Sequence, residues 1–270
     1  MGAYRFFCLG LLAACGGGGG FPDAKEIDAR PTGTFSATWS VVDQNSAPLS
    51  CERIGGSTMT VLAHNTAFDG GSTQIFGCDT GMGNSQAIIA GNYTFDFELG
   101  GSIGGMLTLL ATAPTQTNVA IPAGTTTPLA PLTFQVQATG ALQLKLESGK
   151  AGGNCGVAPG GAGIANVTIT LNHTGDGSCA PIQLTISDGA SQTGGTYMID
   201  CTTPQTFGCI ENDQTITASG VSSDGYTIHV KGLNAATTPC WINNDAIQVP
   251  PLDKTLQRTL NLTQQSTVGC

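Results

Sequence analysis

Charge is what this chain has least of. Only 10% of its 270 residues are Asp, Glu, Lys or Arg, against roughly a quarter in an ordinary soluble domain. Nine basic residues face 18 acidic ones, for a net charge of -9. No basic face is available to neutralise phosphates, and no nucleic-acid partner is expected. Aromatic residues make up 6% of the chain and histidines number three, too few for a row of aromatic sugar platforms or a histidine-rich metal centre. No Cys-x-x-Cys pair occurs, which weakens any zinc reading. No apolar run reaches the ~20 residues that span a bilayer. No stretch keeps apolar residues at i, i+3, i+4 and i+7 over a dozen positions, so helices are not expected.

Glycine is abundant instead, with 39 residues beside 13 prolines and 10 cysteines. The glycines follow no triplet period, which excludes collagen, and apolar residues are too plentiful for a charged disordered chain. Val, Ile, Thr, Tyr and Phe alternate with Thr, Ser, Asn and Gln in short runs bounded by Gly, Pro, Asn and Asp. Runs of this kind are strands. The expected fold class is all-β: two tandem antiparallel β-sandwich domains following a flexible segment.

Self-similarity carries that expectation. Cys51 is followed by Gly55-Gly56, a strand over Thr58–Asn65, then Phe76-Gly77-Cys78 and a strand over Gly91–Leu99. Cys155 is followed by Gly160-Gly161, a strand over Ala165–His173, then Phe207-Gly208-Cys209 and a strand over Gly225–Leu233. Residues 32–138 and 139–270 read as two copies of one unit. Cys51 and Cys78 are 27 positions apart, Cys155 and Cys209 54. The second copy therefore carries an insertion, read as a hairpin over residues 179–201. No Pro/Ser-rich linker marks the boundary near Ala138-Thr139-Gly140, so the two units are expected to abut.

Residues 1–14 read as a signal peptide, with one positive charge at Arg5, an apolar run from Phe6 to Leu12, and small residues before Cys15. The tetrapeptide Leu12-Ala13-Ala14-Cys15 resembles the lipobox of bacterial lipoproteins. That resemblance implies cleavage before Cys15, diacylation of its sulfur, an amino group that becomes the mature terminus, and anchoring to a membrane. One acyl chain holds weakly, so stable anchoring takes more than one. Gly16 stands where an inner-membrane retention signal would resemble Asp, which points to the outer membrane. Residues 15–31, beginning with five consecutive glycines from Gly16 to Gly20, read as a tether. The repeat itself, with its early Trp39, its Phe-x-Cys pair and its Gly-x-Tyr-x-Phe strand, resembles the sandwiches of uncharacterised bacterial surface lipoproteins: transthyretin-like, carboxypeptidase-regulatory-like or immunoglobulin-like. The resemblance implies a fold and a location, and brings no catalytic residues.

With Cys8 removed and Cys15 acylated, eight cysteines remain, and an even number in an oxidising compartment reads as disulfides. A duplicated framework keeps its bridges, so Cys51 is expected to pair with Cys78 and Cys155 with Cys209. Cys179 and Cys201 would close the inserted hairpin, leaving Cys240 for Cys270.

Candidate chemistry is sparse. His64 and His173 sit at similar places near strand ends, and His229 lies within a later strand; residue types alone do not make a triad. Asp96 and Glu98 share one strand face, as the two carboxylates of a glycosidase must share a site, but without aromatic platforms around them. Glu211-Asn212-Asp213 and Asn243-Asn244-Asp245 offer oxygen donors that suit Ca²⁺, and turns favour the same residues. Four Asn-x-Thr sequons, at Asn92, Asn166, Asn172 and Asn261, fit Thr-rich strands. No metal or other cofactor and no enzymatic activity are expected. The function read from these features is a non-enzymatic, membrane-anchored lipoprotein with a binding, adhesion or envelope-scaffold role. Its partner would be an envelope protein or a surface glycan. A carbohydrate-binding module is the alternative, with Trp39 and Trp241 as first suspects, although Trp39 alternates with Phe35 and Val41 on a core face.

Overall fold

The computed structural model describes residues 30–67, 70–202 and 205–265. The described residues form strands joined by turns and two 3₁₀ turns, Glu52–Ile54 and Cys78–Thr80, and include no α-helix. The first repeat contributes β1 (Thr32–Val42), β2 (Gly56–Asn65), β3 (Gly71–Gly77), β4 (Met82–Asn84), β5 (Ile88–Ile89), β6 (Gly91–Ile103), β7 (Met106–Ile121), β8 (Thr126–Pro128) and β9 (Leu132–Gln135). The second contributes β10 (Thr139–Glu147), β11 (Asn166–His173), β12 (Ile182–Ile186), β13 (Gly195–Ile199), β14 (Thr206–Gly208), β15 (Ile216–Ser222), β16 (Gly225–Leu233), β17 (Pro239–Gln248), β18 (Thr255–Asn261) and β19 (Thr263–Gln264).

Each repeat faces one sheet against another. In the first, β3-β2-β6-β7 packs on a sheet in which β1 pairs with β4, β5, β8 and β9. In the second, β14-β11-β16-β17-β19 packs on β13-β12-β15-β10-β18. Alternation dictates the packing: Phe35, Ala37, Trp39 and Val41 of β1 meet Tyr93, Phe95, Phe97 and Leu99 of β6 in one core. Leu142, Leu144 and Leu146 of β10 meet Tyr226, Ile228 and Val230 of β16 in another. Both cores are aliphatic and aromatic layers of the kind period-two strands build.

The strand pairings of the two repeats correspond. β10 takes the place of β1, β11 of β2, β14 of β3, β16 of β6, β17 of β7 and β18 of β9. Where β15 alone runs along β10, two short strands, β4 and β5, cover β1. Tyr93 and Tyr226 occupy one position, each donating its hydroxyl to the carbonyl four residues earlier, Ile89 at 2.7 Å and Ser222 at 2.9 Å. Gly33 and Gly140 are also counterparts, since a Cβ there would stand 2.3 Å from Pro122 O and 2.0 Å from Pro250 O. Only glycine allows that approach. The inserted hairpin is β12 and β13, which extends the β15 side of its sheet.

Most pairings are antiparallel. The exceptions lie near the two ends of each repeat: β1 runs parallel to β8 and β9, and β10 runs parallel to β18. The chain therefore enters a sandwich at one end and leaves at the other.

Three disulfides join Cys51 to Cys78, Cys155 to Cys209 and Cys179 to Cys201. The first two bind equivalent positions of the two repeats, and the third closes the inserted hairpin. Cys240 is disulfide-bonded as well. Cys270, the partner expected for it, lies outside the described residues, as do Cys15, the signal segment and the tether up to residue 29.

Candidate functional site at the junction of the two sandwiches

The turn after Cys51 carries Arg53 to the end of the first sandwich, against the β15–β16 turn of the second. Ser223, with no solvent exposure, places its hydroxyl 2.9 Å from Arg53 O and 3.0 Å from Val249 O, donating to this pair of carbonyls. Gln248 Nε2 donates to the same Arg53 carbonyl at 3.0 Å. Asp224 Oδ2 lies 3.2 Å from Arg53 Nε and 3.0 Å from His173 Nδ1. Arg53 Nε is shut off from solvent without hydrogen-bond geometry, so its contact with Asp224 is an ion pair only. Half-exposed pairs of this sort are worth about 0–1 kcal/mol; the buried serine, serving both halves, contributes more specificity than the charges.

Above this network opens a cleft of about 990 Å³ between the repeats, lined by Glu52, Arg53, His173, Asp176, Ser178 and Asp224 among others. Hydrogen bonds from the Ser178 side chain and backbone hold the Asp176 carboxyl below its ordinary range. Ser178 gives its hydroxyl to Asp176 at 2.6 Å rather than to the His173 ring, so no activated serine results. Beside the ring lies Tyr226, tilted by 41° with 4.7 Å between centroids. Its phenol is pushed up to about 12 by burial first, then by the Asp224 carboxylate, with Arg53 opposing.

A second groove, about 720 Å³, runs between β17 and β18 and is lined by Asn243, Asn244, Asp245, Gln257, Arg258 and Thr259 among others. Asn243 is 8% exposed; its amide donates to Asn261 O, while its Oδ1 has no hydrogen-bond partner. Asp245 and Arg258 stand 3.8 Å apart. A smaller apolar cleft of about 190 Å³ lies at the junction between Ile103, Ile247, Pro251 and Leu256.

The remaining candidates separate. Registered on the paired tyrosines, His173 opposite Tyr226 is the counterpart of Asn65 opposite Tyr93, so His64 does not share its place. A one-residue offset turns a side chain to the other face: His64 lies exposed, 3.7 Å from Asp96. Asp96 also accepts from Thr115 at 2.6 Å. His229 meets Asn244 at 2.7 Å. Glu211 and Asp213 accept backbone N–H groups of Ser191 and Ala190, and Asn212 accepts that of Asn154; they organise neighbouring loops. Asn243, Asn244 and Asp245 belong to a strand, not a loop. Among the described residues no group of three or more His, Cys, Asp or Glu is placed to hold a metal. All four sequon asparagines lie on strands. Trp39 and Trp241 are 7% and 3% exposed, each giving its indole N–H to a carbonyl, of Cys78 and Ala162. Neither is a sugar platform, and none of the exposed large hydrophobic residues described is aromatic. Gly100-Gly101-Ser102-Ile103-Gly104 has the spacing of a nucleophile elbow, but it climbs a strand to a hairpin tip, not a strand-to-helix turn.

No protein-family model matches the chain, and no curated protein matches it. Among solved structures, the chain is similar to the major pilin of Streptococcus pyogenes, at 9% identity over 86% of this chain and 98% of that one, with a TM-score of 0.31. It is similar also to the shaft pilin SpaA of Lactobacillus rhamnosus GG, at 10% identity over 85% and 98%, TM-score 0.28. A leucine-rich repeat protein of Bacteroides thetaiotaomicron matches at 12% identity over 88% of this chain and 27% of its own length, TM-score 0.25.

The junction was not legible in the sequence. Arg53 and Asp224 are far apart along the chain, and each sits in a turn whose composition announces only a turn.

Proposed function

We propose that the protein is a non-enzymatic bacterial lipoprotein, acylated at Cys15 and held at the outer membrane, whose tandem head serves binding, adhesion or envelope scaffolding. The parallel pairing of β1 with β9 and of β10 with β18 supports the display part of this reading. It sends the chain in at one end and out at the other, so a tether before β1 places the second sandwich farthest from the anchor. The disulfides fit an oxidising compartment. The junction holds the two units together through a buried serine rather than leaving them on a hinge, which suits a spacer or display element. No described nucleophile, base and acid converge, and the polar groove and junction cleft are binding surfaces without a reactive centre.

The test is Cys15→Ser in the full chain. Wild-type protein partitions into detergent and incorporates labelled palmitate; the variant is expected to lose both. Retained palmitate in the variant would remove the anchor from the account.

A further inference from the structure

The three most exposed apolar side chains of β6 and β7 sit together on the first turns of β7: Met106, Leu107 and Leu109 are 72%, 91% and 52% exposed. β7 is an edge strand, pairing with β6 alone in its sheet. Farther along, its edge is closed, because the Gln116 amide both donates to Ala130 O and accepts from Ala130 N. Pro114 lacks an N–H and ends any outward ladder there. Among the described residues, no strand pairs with the outer edge from Met106 to Ala113.

Backbone geometry says which groups face out. The hairpin closes through Gly104 and Gly105, both at positive φ, with Ile103 opposite Met106. In a two-residue hairpin the closing pair is hydrogen-bonded and the next is not, so the N–H and C=O of Leu107 and Leu109 point away from β6. An exposed apolar edge with unpaired backbone groups is a template for another strand.

The second repeat shows what belongs there. Leu99 and Gly232, each six residues past the paired tyrosines, stand opposite Ala111 and Trp241. At Trp241 and Ile242 the outer edge of β17 is covered by β19, an antiparallel strand. At the counterparts Ala111 and Thr112 no strand covers β7 among the described residues.

We infer that the open edge of β7 takes the β7 edge of a second copy of this chain as an antiparallel strand about a two-fold axis at Thr108. Such pairing is self-complementary. It sets Leu107 opposite Leu109 of the other copy and satisfies the outward groups of both. No charge on β7 itself opposes it, since no Asp, Glu, Lys or Arg occurs between Glu98 and Lys145. A short edge buries less than the ~1,200 Å² of a standard interface, so the association is weak.

Thr108→Cys in the full chain, mildly oxidised in membranes, tests it. Across the axis the two Cα atoms would lie about 4.5 Å apart, as in a non-hydrogen-bonded pair, within disulfide range. The expected result is a reducible dimer on a non-reducing gel, absent from the exposed control Ser219→Cys and abolished by adding Leu107→Lys and Leu109→Lys. No dimer, an equal dimer in the control, or a dimer that survives the lysines overturns the proposal. Protection of Cys at 108 from an impermeant maleimide by lipid vesicles, without a dimer, would assign the tip to the bilayer instead.

Discussion

Tyr226 shows how one buried side chain records its surroundings. It is 1% exposed, bonded to Ser222 O, and its phenol titrates at about 12 because burial and the neighbouring Asp224 carboxylate disfavour the phenolate. In the unfolded chain a tyrosine titrates near 10. The unfolded state therefore sheds this proton first, and the stability held below pH ~10 is lost as pH rises toward ~12. Melting temperature against pH should fall across that window, and Tyr226→Phe should flatten the fall while costing about 1 kcal/mol at neutral pH for the lost hydrogen bond. An unchanged alkaline slope in the variant would contradict this. The tyrosine itself was readable from the repeated Gly/Tyr strand pattern. Its role at the junction was not, because Arg53 reaches it only through the tertiary fold.

At the scale of elements, the cysteines and strand periods were the legible part. Equivalence between the repeats identified Cys51 with Cys78 and Cys155 with Cys209, because cysteine positions follow strand positions in a duplicated unit, and the inserted hairpin identified Cys179 with Cys201; these are the pairs found. Parallel pairing of β1 with β9 was hidden, since alternation within a strand says nothing about which strand lies beside it. Neither was the strand setting of Asn243-Asn244-Asp245 visible, because asparagine and aspartate read locally as turns. Loop length orders the bridges: Cys155–Cys209 closes 54 positions and Cys179–Cys201 closes 22. Chain entropy then gives the longer bridge about 0.8 kcal/mol more stabilisation. Urea midpoints of the two double Cys→Ala variants should show the larger loss at Cys155/Cys209; the reverse order would point to native contacts of the inserted hairpin as the larger contribution.

For the whole molecule, the junction decides whether two sandwiches act as one body. Ser223 bonds carbonyls on both sides, and Asp224 meets Arg53. Replacing the serine leaves a buried carbonyl short of a donor, at a cost of ~1–3 kcal/mol. Calorimetry should give one unfolding transition for the wild type and two for Ser223→Ala with Asp224→Ala; two transitions in the wild type would mean the repeats melt independently. Composition and strand period point to a β-protein, and the repeat points to two units, but their mutual geometry rests on turn residues that no periodicity marks. The central claim is the anchor that orients this pair, and mass spectrometry of the N-terminal peptide of the mature protein tests it most directly. The account predicts that the peptide begins at Cys15 and carries a diacylglycerol group. A mature terminus elsewhere, or an unmodified Cys15, would contradict it.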